Sequence, residues 1–494
     1  MNSQLLLEAR EYEKIYSEQI QPIERPAFHI TPWVGWLNDP NGFSTYKGEY
    51  HLFYQYYPYD VIWGPMHWGH VKSKDFIKWE RLPVAIGPDK DYDVTGCFSG
   101  SAIELPDGRH LLMYTGVKGI DNTPSCRQTQ CLAFGDGIDY EKYEGNPVLT
   151  VKNLPEGNSP RDFRDPKIWH DKKDECYYAV VGNRTADDSG AILLFESKDV
   201  MNWEYVTTLD YCKNQYGKMW ECPDFFEING KAFILTSPQE MRARGLEFHN
   251  GNDVICLVGS YERENHKFKR ENVIPVDFGL DFYAPQTLET EDGRRIMIGW
   301  MQAWETTRFH PHQYQWMGQL TFPRELSEKG GKLIQNPVRE LANYRSNGVL
   351  CEGLKIVEKT EIPDVSGRVV DMIVEVRPSL MEDLYEEFKI NIAENEEYST
   401  SIIYHPHKNL VEFNRENSGY RLNVVHTRKA PVRDQDGKIK FRIILDRFSA
   451  EVFINDGEQV MSACFYTPLE AEGISFEAKG EAWIDVEKYD IVVD

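Results

Sequence analysis

Three acidic residues head three successive stretches of similar text. Asp39 lies in Trp36-Leu37-Asn38-Asp39-Pro40-Asn41-Gly42, Asp165 in Arg164-Asp165-Pro166, and Glu221 in Trp220-Glu221-Cys222-Pro223. Converging carboxyl groups suit the cleavage of a glycosidic bond, in which one protonates the leaving oxygen and another attacks the sugar or activates a water. The neighbours suggest how the work divides. Glu221 sits in an apolar bracket of Trp220 and Cys222-Pro223, where desolvation and a second carboxylate would raise its pKa and let it keep a proton. Asp39 follows Trp33 and Trp36 and precedes Phe53-Tyr54-Gln55-Tyr56-Tyr57, and flat aromatic faces beside polar groups make walls for sugar rings. Arg164 and Asp165 would point to opposite faces of a regular strand, so they suit hydroxyl recognition better than pairing with each other. The plainer readings are an Asx turn at Asp39, a strand-capping ion pair at Arg164-Asp165 and a solvated edge-strand glutamate at 221.

Other chemistries lack their residues. His67, His70, His310 and His312 come without a His-Glu-x-x-His helix or a cysteine pair, so they read as loop packing or substrate-rim groups and no metal site is expected. No phosphate-binding glycine loop, dinucleotide fingerprint or nucleophile elbow is present, which implies catalysis by side chains without a cofactor.

The acids need a frame that brings distant residues together. From about residue 28 to 345 the chain is short apolar runs broken by turn signals such as Asp107-Gly108, Asn229-Gly230 and Asp292-Gly293, the pattern of strands and hairpins. Polar openers recur as Asn38-Asp39, Phe98-Ser99-Gly100, Arg164-Asp165, Glu221 and Tyr283-Ala284-Pro285-Gln286, and aromatic closers fall at 79, 143, 203 and 268. A spacing of roughly 60 to 65 residues is the scale of one four-stranded propeller blade with its connections. Five openers predict five blades whose innermost strands line one channel, with equivalent residues converging at one end. Past residue 345 the text alternates as Asp371-Met372-Ile373-Val374-Glu375-Val376 and Ala450-Glu451-Val452-Phe453-Ile454, with turns at Asp436-Gly437 and Asp456-Gly457, which predicts a β-sandwich.

The 494 residues exceed what one core serves, and two main units are expected: a propeller over 26–345 and a sandwich over 346–494. Residues 1–25 carry Leu5, Leu6, Ala9, Tyr12, Ile15 and Tyr16 interleaved with Glu8, Glu11, Glu13 and Glu18, a helical period rather than a secretion signal. Nine unpaired-looking cysteines suit a reducing compartment, so a cytoplasmic location is expected and Asn183-Arg184-Thr185 is read as a chance glycosylation match. A net charge of -24 disfavours nucleic acid and anionic membrane as partners. The pattern carries no signal of oligomeric state.

With these motifs in order, the chain resembles glycoside hydrolase family 32, the invertase and fructan hydrolase family. The resemblance also rests on Phe98-Ser99-Gly100-Ser101, Gly299-Trp300-Met301, Trp316-Met317-Gly318, Leu320-Thr321-Phe322-Pro323-Arg324 and Asp446-Arg447-Phe448-Ser449-Ala450-Glu451-Val452-Phe453, and runs from about residue 26 to the C-terminus. Leu37 departs from it, standing where many members have methionine. The resemblance implies an all-β fold, a five-bladed propeller followed by a sandwich. It implies Asp39 as nucleophile on a β-linked fructofuranosyl unit, Glu221 as acid and base, and Asp165 as transition-state stabiliser, in a retaining double displacement. It places Asn38, Gln55, Trp63, Phe98, Ser99, Arg164, Tyr283 and Trp300 around the fructose ring and Cys222 against the acid/base. Sucrose, sucrose 6-phosphate and short fructo-oligosaccharides are the candidate substrates, with Arg308, His310 or His312 as possible phosphate contacts. An inverting five-bladed glycosidase of the arabinan-cleaving type and a non-catalytic sugar-binding propeller are the alternatives. Carboxyl separation divides the two catalytic modes, about 5 to 5.5 Å for retention and 6.5 to 9.5 Å for inversion.

Overall fold

The computed structural model describes residues 3–120, 123–311, 313–379, 384–435 and 437–493. Among the described residues, five antiparallel sheets follow one another between Gly35 and Pro337. Their first strands are Gly35–Tyr46, Gly96–Glu104, Asn158–Asp171, Met219–Ile228 and Tyr283–Glu289. Each first strand packs against the next and the fifth against the first, so the sheets form a ring about a central channel, as in a propeller. The ring is tied shut by Trp316–Met317, a short strand from the last unit that adds in parallel to Gly35–Tyr46. Gly318 follows at φ +88; a Cβ there would lie 2.1 Å from the Leu37 carbonyl, so only glycine allows this approach.

The repeat seen in the sequence is a physical turn. In Ser73–Trp79, Asp75 Oδ1 accepts the Ile77 and Lys78 N–H groups, and the Trp79 indole donates to the Phe76 carbonyl, with Phe76 at φ +65. In Ser197–Trp203, Asp199 Oδ1 accepts from Met201 and Asn202, the Trp203 indole donates to the Val200 carbonyl, and Val200 stands at φ +64. Asn229 and Gly230, both at positive φ, turn Met219–Ile228 directly into Lys231–Gln239.

Beyond the propeller, two six-stranded antiparallel sheets form a sandwich. Their inner faces alternate, so Val374, Phe388, Ile390, Phe441, Val452 and Phe476 are buried together. Asp456 and Gly457 form the expected turn at positive φ, whereas Asp436 lies outside the described residues. A helix, Gln4–Ser17, is capped by the Ser3 hydroxyl, which accepts the Leu6 N–H. It buries Leu6, Ala9 and also Glu13, which the helical pattern had assigned to the polar side. The reason is local: Glu13 accepts the Val84 N–H while Arg10 donates to the Val84 carbonyl, docking the helix on strand Trp79–Ile86. No described helix is long and apolar enough to cross a membrane. Among the described residues no cysteine forms a disulfide, and eight of the nine are buried. Asn183 is buried, its amide donating to the Ser159 and Asp162 carbonyls, a structural role that leaves no accessible acceptor for a glycan.

Candidate active site

Each first strand is broken by a bulge at its opener. Asn38 and Asp39 together oppose Gln55; Asp165 and Pro166 oppose Val181; Cys222 and Pro223 oppose Thr236; Ala284 and Pro285 oppose Gly299; and Ser99 is one residue extra opposite Thr115–Tyr114. A bulge bends the strand and re-aims its side chains, so ordinary alternation does not apply where the acids stand. Proline follows the opener residue at 40, 166, 223 and 285, and the missing N–H costs nothing where the ladder is already open. Asp165, Cys222 and Ala284 all adopt positive φ (+64, +47 and +48), a strained conformation for a side-chain-bearing residue that marks the same point on three sheets.

The bulges bring the three acids into one hydrogen-bonded cluster. The Ser99 hydroxyl donates to Asp39 Oδ2 at 2.7 Å and the Asn38 amide to Oδ1 at 3.1 Å, while the Trp36 indole holds the Asn38 carbonyl at 2.7 Å. The Cys222 N–H donates to Asp165 Oδ2 at 2.9 Å. Its thiol lies 3.5 Å from Asp39 Oδ2 and 3.7 Å from Asp165 Oδ2, so Cys222 bridges those two acids rather than resting on Glu221. The positive φ at Cys222 turns it toward them. Arg164 Nε stands 3.3 Å from Glu221 Oε1, and its Nη2 lies 3.6 Å from Asp162. Arg164 thus pairs with Glu221, the acid of the next sheet, and its charge also opposes the rise of Asp165. The Tyr283 hydroxyl donates to Glu221 Oε2 at 2.7 Å and also faces the Ser237 carbonyl at 3.1 Å.

The electrostatics follow from three carboxyls facing one guanidinium. Burial raises the Glu221 pKa, Asp39 raises it further, and Arg164 opposes the rise. Burial and then the Glu221 charge raise Asp165. Burial raises Asp39 too, against donors from Ser99, Asn38 and Cys222. Burial thus raises all three acids, and each has partners that oppose the rise. At Asp39 the opposing donors are Ser99, Asn38 and Cys222; at Glu221 they are Arg164, Tyr283 and Gln239. Groups this strongly coupled titrate as a set, so the cluster holds protons jointly.

The remaining predicted residues fall on the same end of the channel or beside it. The Gln55 amide donates to the Cys97 carbonyl opposite the Asp39 bulge. Phe98 and Trp63 meet edge to face with centroids 5.8 Å apart. Trp300 pairs with Tyr283 across the fifth sheet and packs on Trp36 and Trp304; among the described residues no acceptor reaches its indole nitrogen. The candidate phosphate contacts do not gather there. His310 is buried among Tyr314, Trp316 and Tyr466, Arg308 is exposed, and His312 lies outside the described residues. His67 is buried with Nδ1 on the Pro65 carbonyl, and His70 lies 2.9 Å from His51. Sequence reasoning missed the clamps between sheets. Thr115 Oγ1 accepts the Asp165 N–H and lies 3.0 Å from the Ser99 carbonyl, and Ser237 Oγ accepts the Ala284 N–H. Their only signal is position, each on a second strand opposite an opener bulge. The far end of the channel opens on a separate cavity of about 440 Å³ that none of the predicted residues lines.

Two family models match nearly the whole chain: "Glycosyl hydrolases family 32 N-terminal domain" over residues 29–337 and "Glycosyl hydrolases family 32 C terminal" over 340–492. A sucrose-6-phosphate hydrolase of Zymomonas mobilis is 35% identical, covering 97% of this chain and 94% of the relative. A raffinose invertase of Escherichia coli is 36% identical, covering 92% and 93%. The structure of a mutant Bombyx mori family 32 β-fructofuranosidase in complex with sucrose superposes with a TM-score of 0.85 at 34% identity, covering 99% of both chains.

Proposed function

The chain belongs to glycoside hydrolase family 32 and is a glycosidase, and from that premise we propose that it releases terminal β-D-fructofuranosyl units with retention of configuration. The substrates proposed are sucrose, sucrose 6-phosphate or short fructo-oligosaccharides. The observation that carries the reading is the convergence of Asp39, Asp165 and Glu221 at bulges of three different sheets, with Arg164 beside Glu221. Three mutually repelling acids would be a costly way to bind a neutral sugar without reacting with it.

In this mechanism an Asp39 oxygen attacks the anomeric carbon while Glu221 gives its proton to the leaving oxygen, forming a fructosyl ester on Asp39. Glu221, now a base, takes a proton from water as that water attacks the same carbon, and Asp39 leaves as carboxylate. Asp165, fixed by the Cys222 N–H, grips the ring hydroxyls more tightly as positive charge develops. Asn38 and Ser99 orient the nucleophile, Arg164 and Tyr283 orient the acid, and Gln55, Trp63, Phe98 and Trp300 form the ring's walls and floor. Each of the five sheets is read as one blade. The domains run over 26–345 and 346–494, with the boundary at the head of strand Arg345–Ile356 and residues 1–25 as a helical preface. The free thiols support a cytoplasmic location. The test is stereochemical: early NMR spectra of a sucrose digest should show β-fructofuranose as the first product. Release of the α-anomer would overturn the nucleophilic role of Asp39 in favour of inversion.

A further inference from the structure

The first strand of the first sheet leads out of the acid pocket to a second cavity. Gly35 stands four residues before Asp39, about 10 Å away because the Asn38-Asp39 bulge takes one residue out of the strand's usual rise. It opens on a cavity of about 370 Å³ whose walls include Tyr12, Tyr16, Tyr59 and Tyr314. Tyr12 stacks on Tyr16 with centroids 4.2 Å apart and meets Tyr59 edge to face at 4.8 Å, so three rings from the N-terminal helix and the propeller form one aromatic wall. Tyr16 and Tyr59 remain 38% and 37% exposed, too open to be explained as core. Gln19, Asp60 and Gln315 supply exposed polar groups around them.

One loop separates this cavity from the acid pocket. The connection from strand Glu49–Tyr57 to strand His67–Ser73 gives Pro58–Val61 to the tyrosine cavity, and two residues later gives Trp63 to the contact with Phe98. Its crest is apolar, with Ile62 61% exposed and Trp63 38% exposed.

We propose that the tyrosine cavity is a remote subsite for a distal sugar unit of a linear fructo-oligosaccharide whose terminal fructosyl unit lies on Asp39. The proposal rests on the fructoside reading above and narrows its substrate class to chains longer than a disaccharide. Tyrosine rings offer flat apolar faces to the C–H side of a sugar, and amide and carboxylate groups at their edge satisfy its hydroxyls. Among the described residues the lining contains no Lys, Arg or His, which suits a neutral sugar better than a phosphorylated end at this position. The volume is that of a small-molecule site. A span of about 10 Å exceeds one sugar ring, so sucrose bound at Asp39 would not reach the cavity.

The test compares kcat/KM on sucrose and on fructosylnystose for the wild type, Tyr16→Ala, Tyr59→Ala and Tyr16→Phe. Both tyrosines are exposed, and unchanged sucrose turnover reports an intact fold. The alanine variants should keep sucrose kcat/KM within about twofold and lose about fivefold to tenfold on the longer chain, the worth of one aromatic contact. Tyr16→Phe should retain the stacking and most of the longer-chain activity. Equal losses on both substrates, or no loss on the longer chain, would overturn the subsite while leaving the fructoside reading in place. Activity on sucrose 6-phosphate alone would overturn the subsite and keep the fructoside reading, whereas a wild type inactive on sucrose, sucrose 6-phosphate and every oligosaccharide would refute both.

Discussion

The protein buries two clusters of three carboxyl groups, and they behave oppositely. In the acid pocket, Asp39, Asp165 and Glu221 face Arg164, and all three are raised above the ordinary carboxylate range. At the junction of propeller and sandwich, Asp277, Asp446 and Glu451 face Arg324 and His29. His29 lies 2.8 Å from Asp446 and 3.2 Å from Glu451; Arg324 lies 2.6 Å from Glu451 and 3.0 Å from Asp277. The N–H groups of Ala27, Phe28 and His29 also donate to Asp446, and that of Phe322 to Glu451. Burial alone would raise Asp446 and Glu451, but these partners outweigh it and lower both. Asp277, which has only Arg324 as a cation, is raised like the pocket acids. Depth does not separate these groups: Asp446 and Glu451 share His29 and are lowered, whereas Asp277, with Arg324 and the Gly279 and Ser462 N–H groups but without His29, stays raised. The junction fixes its charges and holds the N-terminal segment, propeller and sandwich together, whereas the pocket leaves protons that can move.

If that contrast is right, changing the pocket should cost activity and changing the junction should cost stability. Asp39→Ala should lower kcat on sucrose by about 10⁴-fold or more, as loss of a covalent nucleophile does, with an unchanged melting temperature. Wild-type-like turnover would remove Asp39 from the nucleophilic role. Arg324→Met strands Glu451 and Asp277 without their guanidinium and should destabilise the fold by about 3 to 5 kcal/mol in urea denaturation. At low temperature kcat should stay near wild type, and a variant as stable as the parent would break the comparison on the junction side.

The pocket was far more legible in the sequence than the junction. Its acids sit in a repeat, and the turns Ser73–Trp79 and Ser197–Trp203 reproduce one another bond for bond, so periodicity alone implied convergence. The bulges leave a fainter mark, Pro40, Pro166, Pro223 and Pro285 at four of the five, and it is they that set Arg164 beside Glu221 and the Cys222 thiol between Asp39 and Asp165. The junction joins His29 to Asp446 and Glu451 across more than 400 residues, a pairing no local pattern encodes. Glu13 failed for the same reason, since the Val84 N–H that it caps belongs to a strand formed some 70 residues later.

A milder change to the junction is made with pH. His29 is raised from 6.5 to about 9 because Asp446 and Glu451 outweigh the cost of burying its charge. A group raised on folding contributes fully below its unfolded pKa, here about 6.5, and its contribution fades as pH rises through about 9. The ceiling is about 3 kcal/mol. Melting temperatures of the wild type and His29→Gln should therefore differ most near pH 6 and converge above pH 9. A constant difference across that range would show that the imidazole acts by packing and not by charge.

The smallest effect is expected within the pocket, at Tyr283. Its hydroxyl donates to Glu221 Oε2, a contact that favours the carboxylate over the acid and so lowers the pKa that burial has raised. Tyr283→Phe removes that donor and keeps the ring, so Glu221 should hold its proton to higher pH. A general acid fails as it deprotonates, and the alkaline limb of kcat should move upward by about half to one pH unit. Arg324→Met should leave that limb where it is, because the junction is not in contact with Glu221. A downward shift in Tyr283→Phe would mean that the hydroxyl supports the protonated acid through the Ser237 carbonyl, and the pocket would then have a fixed proton of its own.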